Sequence, residues 1–262
     1  MKVNGSAVIS GATGGIGSAI AGTLLEDGYD LVLLGRDQKK LEAKTSRLMD
    51  AARSSMKSIA LVEVDVGDPD AMRMAVADVV DTYGVPKVIV HAAGDHPAMR
   101  LKDTTDAQWQ GAIRGKLMGA VHLVQGFGEV MCERRTGSIV IISGLFRQEP
   151  SPLFPIGSAV NAALGALVKS SSKELAPHGI RINVVDPGPV STGRWMETCG
   201  ELAIMNGGNA DLVNRQTAAG VPVGRLASPE DVANAVSFLC SDKSSYITGA
   251  SITIDGGLSN GI

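Results

Sequence analysis

The 262-residue sequence predicts a three-layer α/β fold, in which helices cover both faces of a doubly wound parallel sheet of about seven strands. Two observations support this prediction. Short apolar runs rich in Val and Ile alternate with longer segments of helical periodicity, which is typical of strands joined by helical crossovers. The apolar runs are continuous rather than alternating, as expected for strands that are buried on both faces. Ligand sites in such folds lie at the carboxyl ends of the strands.

Five strands are predicted in the first 144 residues, at 6–10, 30–35, 58–65, 87–94 and 138–144. Two more follow, in RINVVDPG and SITIDGG. No repeat or Pro/Ser-rich linker divides the chain, so one domain is expected over residues 1–262. The stretch 191–223 departs from the regular alternation, and we expect it to be a mobile lid over the site or else an ordinary surface excursion.

Composition narrows the classes of function. Aromatic residues make up 3% and the formal charge is −3, with both signs interspersed, so a small-molecule ligand is predicted rather than nucleic acid or a membrane surface. The three cysteines are widely spaced and fit neither a disulfide framework nor a metal motif, and no metal site is predicted. Because the sequence shows no signal peptide or membrane span, a cytoplasmic protein is expected.

A glycine-rich turn, SGATGGIG, follows the first strand and opens the first helix. Glycines at this place let backbone N–H groups and the positive end of the helix dipole approach a phosphate. The turn therefore predicts a Rossmann-type dinucleotide site with five candidate binding residues, Gly11, Thr13, Gly15, Ile16 and Gly17.

The second strand ends in Gly35-Arg36-Asp37, where dinucleotide folds place either a carboxylate for the ribose or an arginine for a 2′-phosphate. Arg36 favours NADP(H) over NAD(H), and a solvated side chain is the alternative. Asp37 is expected to be the N-cap of the next helix rather than a ribose ligand.

Further motifs resemble those of the short-chain dehydrogenase/reductase family, in family order and over nearly the whole chain. They are Asp65-Val66, Ala92-Ala93-Gly94, Asn183, the run 186–192, Arg225 with the run 228–233, the run 246–249 and Asp255-Gly256-Gly257. The resemblance implies an NAD(P)-dependent oxidoreductase and a homodimer or homotetramer assembled through helices at 109–135 and 154–177. It also implies further cofactor-binding residues, namely Asp65, Val66, Ala92, Ala93, Gly94, Pro187, Gly188, Val190 and Thr192.

The family's catalytic Asn, Ser, Tyr and Lys have no counterparts in this sequence. The matching positions hold Lys116, Gly144, Gly157 and Asn161 respectively. A shifted alignment does not restore the tyrosine, because the chain has three tyrosines and all lie elsewhere, at positions 29, 83 and 246. Loss of a general acid/base costs about 10²- to 10⁴-fold in rate, so the family's usual hydride transfer between carbonyl and alcohol is not expected.

Two residues are candidate replacements. Lys116 and Asn161 resemble an exchange of the family's Asn and Lys, so the Lys116 ammonium can serve as acid, base or Schiff-base nucleophile, or else merely fill or leave the site. His96, beside Asp95, can serve as a general base near neutral pH or be solvated. Arg147 either contacts an acidic substrate or is a solvated charge in a loop; the sequence does not decide between the two.

Three functions stay open at this point. The first is an oxidoreductase with a substitute proton donor. The second is a non-redox enzyme, such as a dehydratase, an isomerase or an enzyme of C–C bond chemistry, that uses Lys116 or His96. The third is a dinucleotide-binding pseudoenzyme, which includes a partner subunit that stabilises a catalytically active paralogue.

Overall fold

The computed structural model describes residues 5–94 and 96–261, with Asn206 described in its backbone only. Seven parallel strands form one sheet in the order β3-β2-β1-β4-β5-β6-β7. Their bounds are β1 Ser6–Ser10, β2 Asp30–Gly35, β3 Ile59–Glu63, β4 Val88–His91, β5 Gly137–Ile142, β6 Ile180–Pro187 and β7 Ser251–Ile254. The predicted fold class and strand number are confirmed.

The crossovers are helical. The α-helices are α1 Gly15–Glu26, α2 Gln38–Ser54, α3 Pro69–Tyr83, α4 Asp106–Ala112, α5 Gly119–Arg134, α6 Pro155–Leu175, α7 Gly193–Asn206, α8 Ala210–Gly220 and α9 Pro229–Cys240. A π-helical segment, Ile113–Met118, joins α4 to α5. Among the described residues, no helix combines the length and apolar character needed to cross a membrane.

Apolar side chains on the two faces of the sheet form two separate cores. Ile9 of β1 packs in the core that contains α1, α2 and α9, whereas its neighbour Val8 packs in the core that contains α3, α5 and α6. Successive strand residues point to opposite faces, so each continuous apolar run supplies both cores. This explains why the strands lack polar alternation.

Sequence order along the sheet reverses between β1 and β4, which makes that gap the switch point of the fold. The third and fourth strands end earlier than predicted, at Glu63 and His91, and the residues after them form loops at the carboxyl edge. The helix expected from Trp109 begins at Asp106, because Thr105 and Gln108 form a capping box that starts it there. The stretch 191–223 contains α7 and α8, which pack on each other.

Candidate active site and dinucleotide cradle

The glycine-rich turn after β1 packs so closely on its neighbours that side chains would not fit. A Cβ on Gly11, whose φ is +83°, would lie 2.5 Å from the backbone of Ala92. One on Gly17 would lie 2.2 Å from the Gly11 carbonyl oxygen, and one on Gly15 would lie 2.7 Å from the Thr192 side chain. Contacts this short exclude a Cβ, so the turn holds its backbone against the loops after β4 and β6. These residues suit a dinucleotide pyrophosphate at the amino end of α1.

All fifteen predicted cofactor-binding residues lie at or just beyond the carboxyl ends of strands. They follow β1 (Gly11, Thr13, Gly15, Ile16, Gly17), β2 (Arg36), β3 (Asp65, Val66), β4 (Ala92, Ala93, Gly94) and β6 (Gly188, Val190, Thr192), and Pro187 ends β6 itself. Within this group, Asp65 accepts a hydrogen bond from the Gly67 amide at 3.0 Å and pairs with Arg114 at 3.0 Å. The sheet therefore gathers every one of them along one edge.

A cavity of about 380 Å³ lies at the end of β2 and is lined by Thr13, Gly35, Arg36, Asp37 and Lys40. Asp37 caps α2 by accepting from the Lys40 amide at 2.9 Å, as the sequence predicts. Lys40, in the first turn of α2, lines the cavity together with Arg36. Two cations at this cavity suit a phosphate group.

The four positions matched to the family's catalytic residues meet near the carboxyl end of β5. A Cβ on Gly144 would lie 2.9 Å from the amide nitrogen of Asn161. A Cβ on Gly157 would lie 2.1 Å from Cε1 of His96. Asn161 is buried, and its Oδ1 has no hydrogen-bond partner among the described residues. The space that side chains at 144 and 157 would enter is thus occupied by Asn161 and His96.

Lys116 belongs to the π-helical segment and is buried, with 7% of its surface exposed. Its Nζ donates to the Ser143 carbonyl oxygen at 3.1 Å. Its Cβ lies against Gly94, where an added methyl group would come within 2.4 Å. The Lys116 side chain therefore stays inside the site, between the loops after β4 and β5, and does not leave it for solvent.

His96 turns inward. Its ring packs on Gly157 and makes an edge-to-face contact with Phe154, with centroids 6.3 Å apart. Burial, together with the charges of Lys116 and Arg194, lowers the pKa of His96 to about 3, so the imidazole is neutral at pH 7. The expectation of a solvated His96 is wrong, because the glycine at 157 leaves room for the ring. Its neighbour Asp95 lies outside the described residues.

The loop that carries His96 is fastened to α7. Arg194 donates to the His96 carbonyl oxygen at 2.9 Å and pairs with Glu201 at 3.0 Å. Glu201 in turn accepts from the Ala98 amide at 2.7 Å. We call this set of contacts the α7 latch.

Arg147, for which the sequence allowed either an acidic substrate or solvent as partner, instead binds side chains of the sheet. Its Nε donates to the fully buried carboxylate of Asp186 at 2.7 Å, and its Nη2 donates to Ser251 at 2.6 Å. The guanidinium ties the loop after β5 to β6 and β7. Sequence reasoning missed this pair because the two residues belong to different crossovers.

The three tyrosines lie at the opposite edge of the sheet. Tyr29 directly precedes β2, Tyr83 ends the helix before β4, and Tyr246 precedes β7. Each therefore lies near the amino end of a strand, whereas Gly157 and Lys116 lie at the carboxyl edge. Burial raises the pKa of Tyr29 to about 12.

Comparison with known proteins decides the family. A family model described as enoyl-(acyl carrier protein) reductase matches residues 11–259. The chain belongs to the short-chain dehydrogenase/reductase family. Within this family it is 30% identical over 261 residues to the 3-oxoacyl-[acyl-carrier-protein] reductase FabG of Staphylococcus aureus, covering 98% of this chain and 99% of that protein. It is 31% identical over 257 residues to the short-chain type dehydrogenase/reductase y4mP of Sinorhizobium fredii, covering 97% and 96%.

Solved structures of the same family superpose closely. L-Sorbose reductase from Gluconobacter frateurii, complexed with NADPH and L-sorbose, has a TM-score of 0.90 at 29% identity and covers 100% of this chain and 99% of that one. An NAD⁺-bound xylitol dehydrogenase has a TM-score of 0.91 at 25% identity, covering 98% and 100%. Short-chain dehydrogenases of this fold thus include proteins that bind either nicotinamide dinucleotide.

Two functional candidates in this member of the short-chain dehydrogenase/reductase family were missed from the sequence. Lys40 had a usable signal, because it lies four residues after Arg36 at the start of a capped helix. The α7 latch had none, since it joins residues about a hundred positions apart.

Proposed function

We propose that the protein is an NADP(H)-binding oxidoreductase in which Lys116 takes the part of the family's missing tyrosine. The proposal is supported by one observation: the side chain of Lys116 is buried in the site, with its Cβ and Cγ against Gly94 and its ammonium on the Ser143 carbonyl oxygen. An ammonium held there by the fold is a preorganised donor for a carbonyl oxygen that gains negative charge.

NADPH, when bound, supplies a hydride to a carbonyl carbon. Lys116 stabilises the developing oxyanion and gives it a proton, so that the carbonyl becomes an alcohol. His96 is neutral at pH 7, so in this proposal it lines the substrate pocket as a hydrogen-bonding group and is not the general acid. Asn161 fills the place of the family's lysine against Gly144.

Turnover is tested with purified protein, NADPH and a panel of carbonyl compounds that includes a 3-oxoacyl thioester and a ketose, with the reduced-nicotinamide absorbance as readout. We expect Lys116→Met to lower the rate about 10²- to 10⁴-fold. Lys102→Met, at an exposed lysine, is the matched control and should be active. An active Lys116→Met protein would refute the assignment.

Cofactor choice is proposed from the cavity at β2. Arg36 and Lys40 are positioned for a 2′-phosphate, so NADPH is expected to bind more tightly than NADH in calorimetric titrations. Charge-assisted hydrogen bonds contribute about 1.5–3 kcal/mol each, so Arg36→Ala or Lys40→Ala should weaken NADPH about 10- to 100-fold and leave NADH unchanged. Lys39→Ala, next to Lys40 but outside the cavity lining, is the control.

A second candidate is a dinucleotide-binding protein without turnover. The observation that favours it is the His96 ring on Gly157, which fills space that the family's tyrosine would otherwise use. NADPH binding without loss of reduced-nicotinamide absorbance on any carbonyl supports this candidate. Substrate conversion that depends on Lys116 but consumes no NADPH supports the non-redox alternative instead.

Assembly is proposed from the surface of α6. Ala159, Ala162 and Ala166 form an exposed face of small residues on this helix. Small side chains allow close helix packing, which favours a homodimer or homotetramer over a monomer. The same face would serve a heteromer with an active paralogue.

We further propose that the segment of α7 and α8 is the substrate lid and that the protein acts in the cytoplasm.

A further inference from the structure

His91 ends β4 and is completely buried. Its Nδ1 lies 2.7 Å from the hydroxyl oxygen of Ser10, and its Nε2 lies 2.9 Å from the carbonyl oxygen of Lys116. Ser10 pairs with His91 in the β1–β4 register and directly precedes Gly11. Gly11 belongs to the glycine-rich turn of residues 11–17, which we call the cradle. One imidazole therefore contacts both the residue that precedes the cradle and the backbone of Lys116.

The direction of both hydrogen bonds follows from the acceptor. A carbonyl oxygen only accepts, so Nε2 carries a proton and donates to Lys116. Burial lowers the pKa of His91 to about 4, so at neutral pH Nδ1 carries none and accepts from the Ser10 hydroxyl. The chain of donation runs from Ser10 to His91 to Lys116.

The surroundings are shaped for this ring. A Cβ on Gly119, at the start of α5, would lie 3.0 Å from Cε1 of His91 and 2.7 Å from a methyl group of Val66. Lys116 itself lies in the π-helical segment, a local departure from α-helical pairing that frequently marks functional sites. Glycine at 119 gives the imidazole its room beside the carbonyl that it binds.

Three contacts with described residues hold Lys116. Its Nζ donates to Ser143, its Cβ rests against Gly94, and its carbonyl accepts from His91. Of these contacts, the one with His91 links Lys116 to β1, because His91 also hydrogen-bonds to Ser10 at the end of that strand.

We propose that His91 is a positioning residue that sets the cradle and the ammonium of Lys116 as one hydrogen-bonded unit, so that binding of the dinucleotide and placement of Lys116 are coupled. This inference rests on the proposed function in one respect, which is the catalytic role assigned to Lys116. The hydrogen-bonded unit itself is independent of turnover.

Two matched variants separate the two bonds of the ring. The side-chain amide of Asn reaches about as far as Nδ1, so His91→Asn retains the contact with Ser10 and loses the one with Lys116. The longer Gln places its amide nitrogen near the position of Nε2, so His91→Gln retains the donor to Lys116. We expect His91→Gln, which lacks the contact with Ser10, to keep the Lys116-dependent kcat within about threefold of wild type and to bind NADPH more than threefold more weakly. We expect His91→Asn to keep NADPH affinity and to lose at least tenfold in kcat.

A second readout does not require activity. With ¹⁵N-labelled histidine, the four imidazoles of the chain are followed by NMR. We expect His91 as the Nε2–H form, with resonances that shift on addition of NADPH and respond less in Ser10→Ala. This result with no turnover would refute the proposed function and uphold the positioning unit. An Nδ1–H form, a His91 signal insensitive to NADPH, or equal behaviour of the Asn and Gln variants would overturn the positioning role.

Discussion

At the scale of single residues, burial sets the protonation of the two histidines near the site. The pKa of His91 is lowered to about 4 and that of His96 to about 3, in both cases mainly because burial disfavours the cation. Both rings are therefore neutral hydrogen-bonding groups at pH 7. The positive charge of Lys116 acts on both rings, and that of Arg194 acts on His96 as well.

These lowered pKa values predict a stability that falls in mild acid. Between its unfolded pKa of 6.5 and its folded pKa of about 4, His91 binds protons in the unfolded state and not in the folded state. The free energy of unfolding thus decreases as the pH falls through this window, by about 3 kcal/mol for His91 alone. Urea unfolding measured across this range should show a shallower decrease for His91→Gln. His178→Gln, at an exposed histidine, should follow wild type.

The contact between Gly157 and His96 predicts a specific coupling. Gly157→Ala places a methyl group within 2.1 Å of the His96 ring, so we expect it to destabilise the protein by about 1–3 kcal/mol. In a His96→Ala background the clash is absent, and the same change should stabilise the helix by up to about 1 kcal/mol. Urea unfolding of the four proteins measures the coupling free energy, and additive effects would contradict the contact.

At the scale of elements, the loop after β4 is positioned by α7 as well as by the sheet. The α7 latch brings one arginine and one carboxylate of α7 to the backbone at His96 and Ala98. The latch is only partly exposed, with about 30% of each charged side chain accessible, so its charges are less screened than those of a surface pair. It holds α7 against the loop beside the substrate space.

The latch predicts that one of two neighbouring glutamates controls the mobility of α7. Glu201→Gln should increase backbone hydrogen exchange in 193–206 and 96–100, because the pairing with Arg194 is weakened and that with the Ala98 amide is no longer charge-assisted. Glu197 pairs with the same arginine at an exposed position, with 70% of its side chain accessible. Glu197→Gln is therefore the control, and equal exchange in the two variants would contradict the latch.

At the scale of the whole molecule, the carboxyl edge of one seven-stranded sheet carries both the cradle and the candidate catalytic residues. The exposed alanine face of α6 lies on the same helix as Gly157 and Asn161. Association through this face would therefore help to fix the position of the helix that carries two of the site residues.

Assembly is tested by a charge on that face. Ala162→Arg should shift the protein from an oligomer to a smaller species in analytical ultracentrifugation, because the long charged side chain prevents close helix packing. Ala43→Arg, at an exposed alanine of α2, is the control and should leave the mass unchanged. A wild-type protein that sediments as a monomer would contradict the proposed assembly.

Much of the fold was predictable because its signals are local. Each strand is a short apolar run, and β1 and β2 agree with the prediction residue for residue. The strand ends at Glu63 and His91 were less predictable, since apolar residues continue into the loops that form the site. The helix predicted from Trp109 begins earlier, at Asp106, because Thr105 and Gln108 form a capping box.

By itself, the sequence determined the parallel sheet, the glycine cradle after β1 and the identity of the residues at positions 116, 144, 157 and 161. These follow from periodicity, from the backbone freedom of glycine and from the spacing of motifs, all of which are local properties. The tertiary structure alone decided which side chains contact these residues. His96 packs on Gly157, Asn161 packs on Gly144, and His91 hydrogen-bonds to the carbonyl oxygen of Lys116. The physical reason is that these contacts join different crossovers, which meet only when the sheet brings its carboxyl ends together.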